Sequence, residues 1–422
     1  MNDLPHVKQL VVKYNGLTVG RLHEGPSRGE ITFQYDASWL STGFDLAPNS
    51  LAFTALPQTA AHPLFHGLHG AFAASLPDGW GLLLMDREFK RQHGWSPNEI
   101  LPLDRLAYIG TRAMGALEYH PAIELAITNQ VNLAAILKSV DEVVSGTQTD
   151  VLTQLRIQGG SPGGARPKVT VARSKNNTEI LSGFNTIPEG YEHWMIKFRG
   201  ADDPVDMGRI EMAYADMAVA AGIEMPETEL IRVPKINVKP GIDADDYFFA
   251  VRRFDRIGNR KLHVIALDAI LYADYRIPSL DYEIVLGVTQ GFTQNAVEVE
   301  RAFRLACFNT LAHNQDDHGK NFAMLHTDSG WRLAPGYDLT FSTGMGAEHT
   351  TAVSGSGKPD RKSLLRLAAA FAIKTKRANE IIEQVFEAVK RWHQYSAKYG
   401  VSLESAERIE EALAGVRKIF SS

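Results

Sequence analysis

A polar segment towards the C-terminal end of the chain carries residue types that perform group transfer. Residues 313–321 read HNQDDHGKN and place Asp316 five residues before Asn321. Protein kinases use this spacing to hold a base for the acceptor hydroxyl and a ligand for magnesium. Lys320 could offset the charge of the transferred phosphoryl group. A solvated helix end with capping side chains is the alternative, but apolar residues resume at once at Phe322.

A second carboxylate follows this segment at a turn. Asp338 comes after the strand-like residues 331–333 and a Pro-Gly pair, a short distance beyond Asn321. In kinases an Asp that follows the catalytic loop binds magnesium. The alternative is an Asx turn, in which the carboxylate accepts a hydrogen bond from its own backbone. We interpret Asp338 as a candidate metal ligand.

A glycine-rich segment upstream could bind phosphate. Residues 158–168 read QGGSPGGARPK, with four glycines within six positions, and strand-like residues follow. Glycines allow successive backbone N–H groups to turn inward around an anion. The pattern is not a Walker loop, because no Gly-Lys-Ser/Thr opens a helix. A flexible surface loop is the alternative.

A lysine in an apolar strand could contact the same phosphates. Lys197 lies within WMIKF at residues 194–198, so it is expected to be partly buried and to need an anionic partner. Kinases use a strand lysine to hold the α- and β-phosphates of ATP. Glu211, which opens the next helix, is the candidate partner. An edge-strand lysine that extends its ammonium group to water is the alternative.

The elements that must position these residues divide the chain into three parts. We predict a β-rich module over residues 1–130, an α+β region over 131–254 and a helical lobe over 255–422. Strands are predicted from hydrophobic alternation at 10–14, 18–22, 30–35, 168–172, 193–198 and 247–254. Helices are predicted from 3.6-residue periodicity at 82–91, 131–144, 207–221, 298–313, 379–396 and 404–420.

Composition narrows the classes of protein. The chain has 422 residues with 44 Lys and Arg against 49 Asp and Glu, giving a net charge of −5. This balance disfavours a strongly basic nucleic-acid binder. A single cysteine, Cys307, excludes an intramolecular disulfide and a cysteine-based metal cluster. No signal peptide and no long apolar run is present, so we expect a cytoplasmic protein without a membrane contact.

Two metal-centre alternatives are weaker. His62, His66 and His69 have helical ligand spacing, but the proline and glycines between and after them disfavour a regular helix. The Asp316, Asp317 and His318 run could belong to a metal hydrolase, but such sites draw ligands from several elements, and no second histidine-rich cluster stands out.

Together these motifs resemble the HipA-family serine/threonine kinases, the toxins of bacterial type II toxin–antitoxin systems. The resemblance covers nearly the whole chain. The similar phrases, in order, are FQYD at 33–36, LPDG at 76–79, SPGGARPK at 161–168, MIK at 195–197, RFDR at 253–256, NQDDHGKN at 314–321 and YD at 337–338.

The resemblance implies an α+β, protein-kinase-like, two-lobed fold with a β-rich N-terminal module and an all-α C-terminal lobe. It implies ATP and Mg²⁺ as cofactors. The resemblance implies that Asp316 is the catalytic base, grouped with His318 and Lys320, and that Asn321 and Asp338 bind magnesium. It implies autophosphorylation at Ser161. The residues implied to contact ATP are Gly163, Gly164, Ala165, Lys168, Lys197 and the backbones of Arg252 and Phe254.

The resemblance also implies partners. These are a protein substrate, such as an aminoacyl-tRNA synthetase or another translation factor, and a small DNA-binding antitoxin through which DNA is reached indirectly. Two other functions stay open. One is an antitoxin-binding corepressor with little phosphotransfer, against which the intact Asp316, Asn321, Lys197 and Asp338 speak. The other is AMP transfer in the same cleft.

Overall fold

The structure is a computed structural model. It describes residues 6–27, 29–60, 62–123, 131–133, 135–136, 166–174, 177–184, 186–200, 202–234 and 245–421. The predicted glycine-rich loop, with Ser161, Gly163, Gly164 and Ala165, lies outside the described residues. So does most of the helix predicted over 131–144.

The N-terminal module is built on a five-stranded antiparallel sheet. Its strands, in spatial order, are Gln58–Thr59, Ile31–Tyr35, Leu17–Glu24, Gln9–Tyr14 and Leu117–His120. The predicted first hairpin is confirmed, because Asn15 and Gly16 both take the positive φ that a tight hairpin turn requires. The helices of the module are Ala37–Thr42, Gly70–Ala73, Gly79–His93 and Pro102–Ile109.

The first lobe follows, with a second five-stranded antiparallel sheet. Its strands, in spatial order, are Asn177–Ser182, Lys168–Ser174, Glu192–Lys197, Asp245–Arg252 and Thr228–Pro234. The helix Met207–Ala220 packs on this sheet, and its buried face includes Ile210 and Met217. The helix and the strands Lys168–Ser174, Glu192–Lys197 and Asp245–Arg252 lie within a residue or two of the predicted ranges, whereas no strand range is predicted for 177–182 or 228–234.

The second lobe is helical around a small sheet. Its longer helices are Tyr282–Thr293, Ala296–Leu311, Arg361–Ala370, Thr375–Val389, Trp392–Tyr399 and Leu403–Ser421. Three antiparallel strands lie among them, namely His263–Ala266, Ala323–Thr327 and Gly330–Leu333. The helical character predicted for this lobe is therefore interrupted by a sheet, and the catalytic segment enters one of its strands.

The region predicted as one helix over 379–396 forms two helices, Thr375–Val389 and Trp392–Tyr399. Periodicity predicts a single helix over 379–396, but the structure turns the chain at Lys390 and Arg391. The turn buries the ring of Trp392 completely and lets its indole N–H donate to the carbonyl of Ala406 at 3.0 Å. Periodicity does not reveal a bend that preserves the apolar stripe on both sides.

The N-terminal module packs closely on the second lobe. Buried side chains of the two form one continuous apolar core, in which Phe72 of the module and Ile265 of the lobe both take part. At Gly70 the backbones approach so closely that a Cβ atom would lie 1.8 Å from the carbonyl oxygen of Ala269. Within the described ranges, no helix combines the length and apolar character needed to cross a membrane.

Candidate active site

Two buried lysines face each other on adjacent strands of the first lobe. Lys168 and Lys197 are direct cross-strand partners, and their side chains are 4% and 7% exposed. Like charges at directly opposed positions destabilise a sheet, and buried ammonium groups require anionic partners. The pair therefore indicates a site built to hold negative charge.

Carboxylates from two other elements approach this pair. Lys197 Nζ lies 3.0 Å from Glu211 Oε1 on the packed helix, as the sequence predicts, and it also forms an ion pair with Asp338. Burial alone would lower the pKa of Lys197, but Asp338 and Glu211 together raise it above its ordinary value. For Lys168 burial prevails and lowers the pKa, although Asp338 opposes this effect.

Asp338 of the second lobe reaches the two lysines of the first lobe. Burial would raise the pKa of its carboxyl, but Lys197 and Lys168 hold that pKa well below its ordinary value. Asp338 takes a positive φ of 53°, an uncommon conformation for a residue other than glycine. Its side chain remains 39% exposed. The site thus presents an ionised carboxylate that solvent, or a ligand, can reach.

Arg166 adds a third cation beside the lysines. Its guanidinium binds Asp203 with two hydrogen bonds of 2.8 and 3.0 Å and lies 3.9 Å from Glu211. Although burial opposes it, Glu211 and Asp203 raise the pKa of this arginine. Arg166 and Lys168 form the described end of the segment 158–168, so the ion pair with Asp203 anchors that end.

The predicted catalytic segment leaves the helix Ala296–Leu311 and is fixed by buried polar groups. Asp317 is fully buried and accepts hydrogen bonds from the Tyr282 hydroxyl at 2.8 Å and the Thr351 backbone N–H at 3.1 Å. His349 Nδ1 lies 2.9 Å from the same carboxylate. Asp317 therefore anchors the loop, whereas its neighbour faces outward.

Asp316 presents its carboxylate to solvent. Its side chain is 66% exposed, while its backbone N–H donates to Ser342 Oγ at 2.9 Å. Partial desolvation, with Asp338 adding to it, raises the pKa of Asp316, and His318 opposes the rise. His318 Nε2 lies 3.9 Å from Asp316 Oδ1. An accessible carboxylate with a raised pKa is suited to accept a proton.

Asn321 and Lys320 continue the same loop. The amide of Asn321 donates to the Asp316 carbonyl at 2.7 Å, which holds the loop closed over six residues. The Lys320 carbonyl accepts from the Tyr337 hydroxyl at 2.6 Å, so the residue before Asp338 is tied to this loop. The Lys320 ammonium forms an ion pair with Asp78 of the N-terminal module.

The segment that joins the lobes carries the two residues predicted to contact adenine, Arg252 and Phe254. The Arg252 backbone N–H donates to the Glu227 carbonyl at 2.8 Å, and its side chain pairs with Glu192 at 2.6 Å. Phe254 lies against Tyr337 with ring centroids 5.7 Å apart. The predicted adenine contact is thus available at Arg252 only through groups other than that N–H, and at Phe254 it stays a prediction.

The neighbouring RFDR phrase has a role that the sequence did not indicate. Asp255 is completely buried and binds Arg253 at 2.7 and 2.9 Å, Arg256 at 2.5 Å and the Gly115 backbone N–H at 2.8 Å. Arg256 also donates to the Ala113 and Gly115 carbonyls. This cluster joins the N-terminal module to the two lobes.

Sequence reasoning missed three acidic residues at the site. Asp203 binds Arg166, Asp78 binds Lys320, and Asp268 lies buried against the catalytic loop, where a Cβ at Gly319 would meet it at 3.2 Å. Asp78 stands in the LPDG phrase, so the motif was noticed without its contact. Asp203 and Asp268 carry no local signal, because only the tertiary fold brings them to the site.

The fold and the site define a two-lobed, kinase-like protein with an added N-terminal module. The family model described as HipA N-terminal domain matches residues 10–120, and that described as HipA-like C-terminal domain matches residues 160–393. The second match covers more than half of the chain. The chain therefore belongs to the HipA family.

Relatives agree with this placement. In Sinorhizobium fredii (strain NBRC 101917 / NGR234), the protein named "Putative kinase Y4mE" is 26% identical over 361 residues, covering 79% of this chain and 77% of that protein. "Putative kinase Y4dM" of the same strain is 26% identical over 134 residues, covering 31% of this chain and only 32% of that protein.

A solved structure confirms the fold. A chain of the Shewanella oneidensis MR-1 complex of HipA, HipB and operator DNA superposes with a TM-score of 0.66 at 16% identity, covering 96% of this chain and 95% of that one. The α+β, kinase-like fold predicted from the sequence is thereby confirmed.

Proposed function

We propose that this protein is an ATP-dependent serine/threonine kinase of HipA type and the toxin of a toxin–antitoxin pair. The observation that carries the proposal is the opposed, buried pair Lys168 and Lys197, placed beside Asp338, whose charge also acts on the exposed Asp316. Cations concentrated in a cleft next to an accessible carboxylate suit transfer of a phosphoryl group to a hydroxyl.

The lysine pair binds the triphosphate of ATP in this proposal. Lys197 contacts the α- and β-phosphates while Glu211 holds its ammonium group in place. Lys168 and Arg166 add positive charge where the glycine-rich segment ends. A polyanion that contacts both ammonium groups would add to the negative charge that Asp338 and Glu211 already supply there.

Asp316 acts on the acceptor in this proposal. Its carboxylate orients the Ser or Thr hydroxyl and accepts the proton as the oxygen attacks the γ-phosphorus. The P–O bond to ADP then breaks in line with the new bond. The buried Asp317 and the hydrogen bond from the Asp316 backbone N–H to Ser342 Oγ hold Asp316 in position, so little reorganisation is needed at the moment of transfer.

The residues present fit a magnesium site. Asn321 and Asp338 offer amide and carboxylate oxygens, the hard donors that magnesium prefers, and the lowered pKa of Asp338 keeps it ionised at neutral pH. One or two protein ligands plus substrate phosphates are the usual arrangement for this ion. A bound magnesium would neutralise charge on the β- and γ-phosphates.

The partner in this proposal is a small DNA-binding antitoxin. The similar Shewanella protein was solved in a complex with HipB and operator DNA. With a net charge of −5, this chain would gain little from direct contact with the phosphate backbone, so the antitoxin supplies the DNA contact. The protein substrate would be a translation component, by family analogy alone.

Regulation would act through Ser161 in the glycine-rich segment. A phosphate there adds nearly two negative charges to a segment that must cradle phosphates, so it would compete with ATP for Lys168, Lys197 and Arg166. Arg166 and Lys168 lie at the end of this segment, and Lys197 is the cross-strand partner of Lys168. This arrangement supports a regulatory role for Ser161.

Intact-mass spectrometry after incubation with Mg-ATP tests the proposal, with wild type compared with Asp316→Ala and Ser161→Ala. We expect one added phosphate on wild type and none on either variant. Phosphate on Ser161→Ala would keep the kinase and move the modified site. No added mass on wild type, with either itself or a candidate protein substrate, would contradict kinase activity.

The same spectra separate the other functions. A gain of a whole nucleotide would identify AMP transfer in the same cleft. Antitoxin binding without any added mass on either protein would identify a corepressor. Lys197→Met should weaken Mg-ATP binding in both enzymatic cases, whereas a pure corepressor would lose nothing by this change.

A further inference from the structure

The N-terminal module reaches into the catalytic loop at one place. Asp78, the residue before the helix Gly79–His93, forms an ion pair with the ammonium group of Lys320. The Asp78 side chain is 13% exposed and that of Lys320 is 26% exposed. The contact therefore links the module to the residue directly before Asn321, in a setting largely shielded from water.

Other groups confine the same ammonium. Lys320 Nζ lies 4.1 Å from the centre of the Tyr275 ring, and that ring lies 5.3 Å from His318. Desolvation, with Asp78 adding to it, raises the pKa of Tyr275 to about 12, so the phenol stays neutral. Asp268 adds a buried carboxyl whose charge interacts with Lys320. Lys320 is thus held between two acidic residues and one aromatic face.

Confinement matters because a lysine ammonium is a compact charge on a flexible stem. Phosphoryl transfer depends mainly on positioned charge, and a small displacement of a cation next to the reacting groups is costly. The Asn321 side chain and the Lys320 backbone are held by hydrogen bonds within the second lobe, to the Asp316 carbonyl and from the Tyr337 hydroxyl. The ion pair of the Lys320 ammonium, in contrast, is with a residue of the N-terminal module.

A second ion pair also joins the N-terminal module to the second lobe, but away from the catalytic loop. Lys261 of the second lobe lies 2.6 Å from Glu118 of the module, and the two side chains are 16% and 17% exposed. Lys261 also donates to the Thr111 carbonyl. This pair has similar burial and joins the same two parts, but it involves no residue of the catalytic loop.

We propose that Asp78 is a positioning residue for phosphoryl transfer, supplied by the N-terminal module, which holds the Lys320 ammonium where charge develops in the transition state. The inference rests on the proposed kinase function. It makes the module part of the active site, because a kinase region without the module would lack the group that orients Lys320.

The test measures phosphorylation under single-turnover conditions by intact mass and Mg-ATP affinity by calorimetry. Asp78→Asn, which keeps the shape of the side chain and removes its charge, should lower the transfer rate about tenfold and change Mg-ATP affinity less than about twofold. Asp78→Glu should recover part of the rate. Glu118→Gln, the matched control, should transfer phosphate at close to the wild-type rate.

A double-mutant cycle distinguishes positioning from a structural role. If Asp78 acts through Lys320, Asp78→Asn should cost nothing further in a Lys320→Met background. Thermal melting of each variant shows whether the fold is kept. Full additivity, or equal losses for Asp78→Asn and Glu118→Gln, would overturn the positioning role.

The outcome for wild type separates the two proposals. An active wild type with an unaffected Asp78→Asn variant overturns the positioning role alone. A wild type that binds Mg-ATP and transfers no phosphate overturns the kinase proposal and, with it, the role of Asp78.

Discussion

Two buried charge clusters in this protein are built on opposite principles. At the module interface, Asp255 lies between Arg253 and Arg256 and also accepts a backbone hydrogen bond, so its charge is fully compensated. At the candidate active site, Lys168 and Lys197 oppose each other across two strands. The first cluster is shut off from solvent, whereas the second reaches solvent through Asp338.

The carboxylates of the two clusters, Asp255 and Asp338, also differ in their exposure to solvent. Asp255 is completely buried, but the Asp338 side chain remains 39% exposed. Both carboxyl pKa values lie below the ordinary value, in each case because nearby cations outweigh burial. A lowered pKa alone therefore does not identify function. Like charges placed together, with a path to solvent, are the more informative sign.

Removal of the Asp255 carboxylate should cause the largest loss of stability. Asp255→Ala leaves two buried guanidinium groups without their carboxylate, and it should lower the free energy of unfolding by roughly 3–5 kcal/mol. Urea denaturation monitored by tryptophan fluorescence measures this loss. Asp328→Ala removes the partner of Arg260 in an exposed Arg–Asp pair and should remain close to wild type. Equal losses would contradict the assignment of Asp255 as a structural centre.

The next prediction concerns a buried carboxyl on the open side. Asp268 is 4% exposed, and burial raises its pKa to about 6, although Lys320 and His318 oppose the rise and Asp78 adds to it. The folded state then binds this proton more tightly than the unfolded chain, in which the Asp side chain has a pKa of about 3.9. The contribution to stability is therefore full below about pH 4 and is lost as pH rises through about 6.

Asp268→Asn removes this titration and tests its sign. Relative to wild type, the variant should gain stability as pH rises from about 4.5 to 8, by an amount on the order of 2 kcal/mol. Urea denaturation at several pH values measures the difference, and the change in other groups cancels between the two proteins. A difference that is independent of pH would show that Asp268 stays ionised in the folded state.

The sequence predicts the elements that carry Lys168, Lys197 and Glu211 because their patterns are local. Hydrophobic alternation and the Asn15–Gly16 turn indicate the strands of the module, and periodicity indicates the helix that carries Glu211. The pairing of Lys197 with Glu211 follows from placing a buried lysine beside the next acidic helix residue. The motif at 313–321 predicts a loop, and the buried Asp317 explains why that loop keeps one shape.

The rest depends on contacts between distant parts of the chain. Nothing in the LPDG phrase shows that Asp78 meets Lys320, and nothing in RFDR shows that Asp255 binds Gly115. The opposition of Lys168 and Lys197 depends on strand register, which a single sequence leaves open. Local patterns thus predict which residues carry charge, and tertiary packing decides which charges are compensated.

Replacement of Lys168 should change stability least and Mg-ATP affinity strongly. Lys168→Met removes one of two opposed lysines while Lys197 still pairs with Asp338 and Glu211. The free energy of unfolding should change by less than about 1 kcal/mol, because the cost of burying that ammonium disappears together with its attraction to Asp338. Mg-ATP affinity measured by calorimetry should nevertheless fall at least about tenfold.

Lys261→Met is the matched control, since Lys261 is a mostly buried lysine whose pKa is also lowered by burial, despite its pairing with Glu118. It should lose stability and bind Mg-ATP as wild type does. A Lys168→Met variant that is strongly destabilised but binds Mg-ATP normally would place Lys168 with the structural charges. The opposite result would mean that the chain tolerates an unfavourable pair of lysines because a polyanion occupies the space between them.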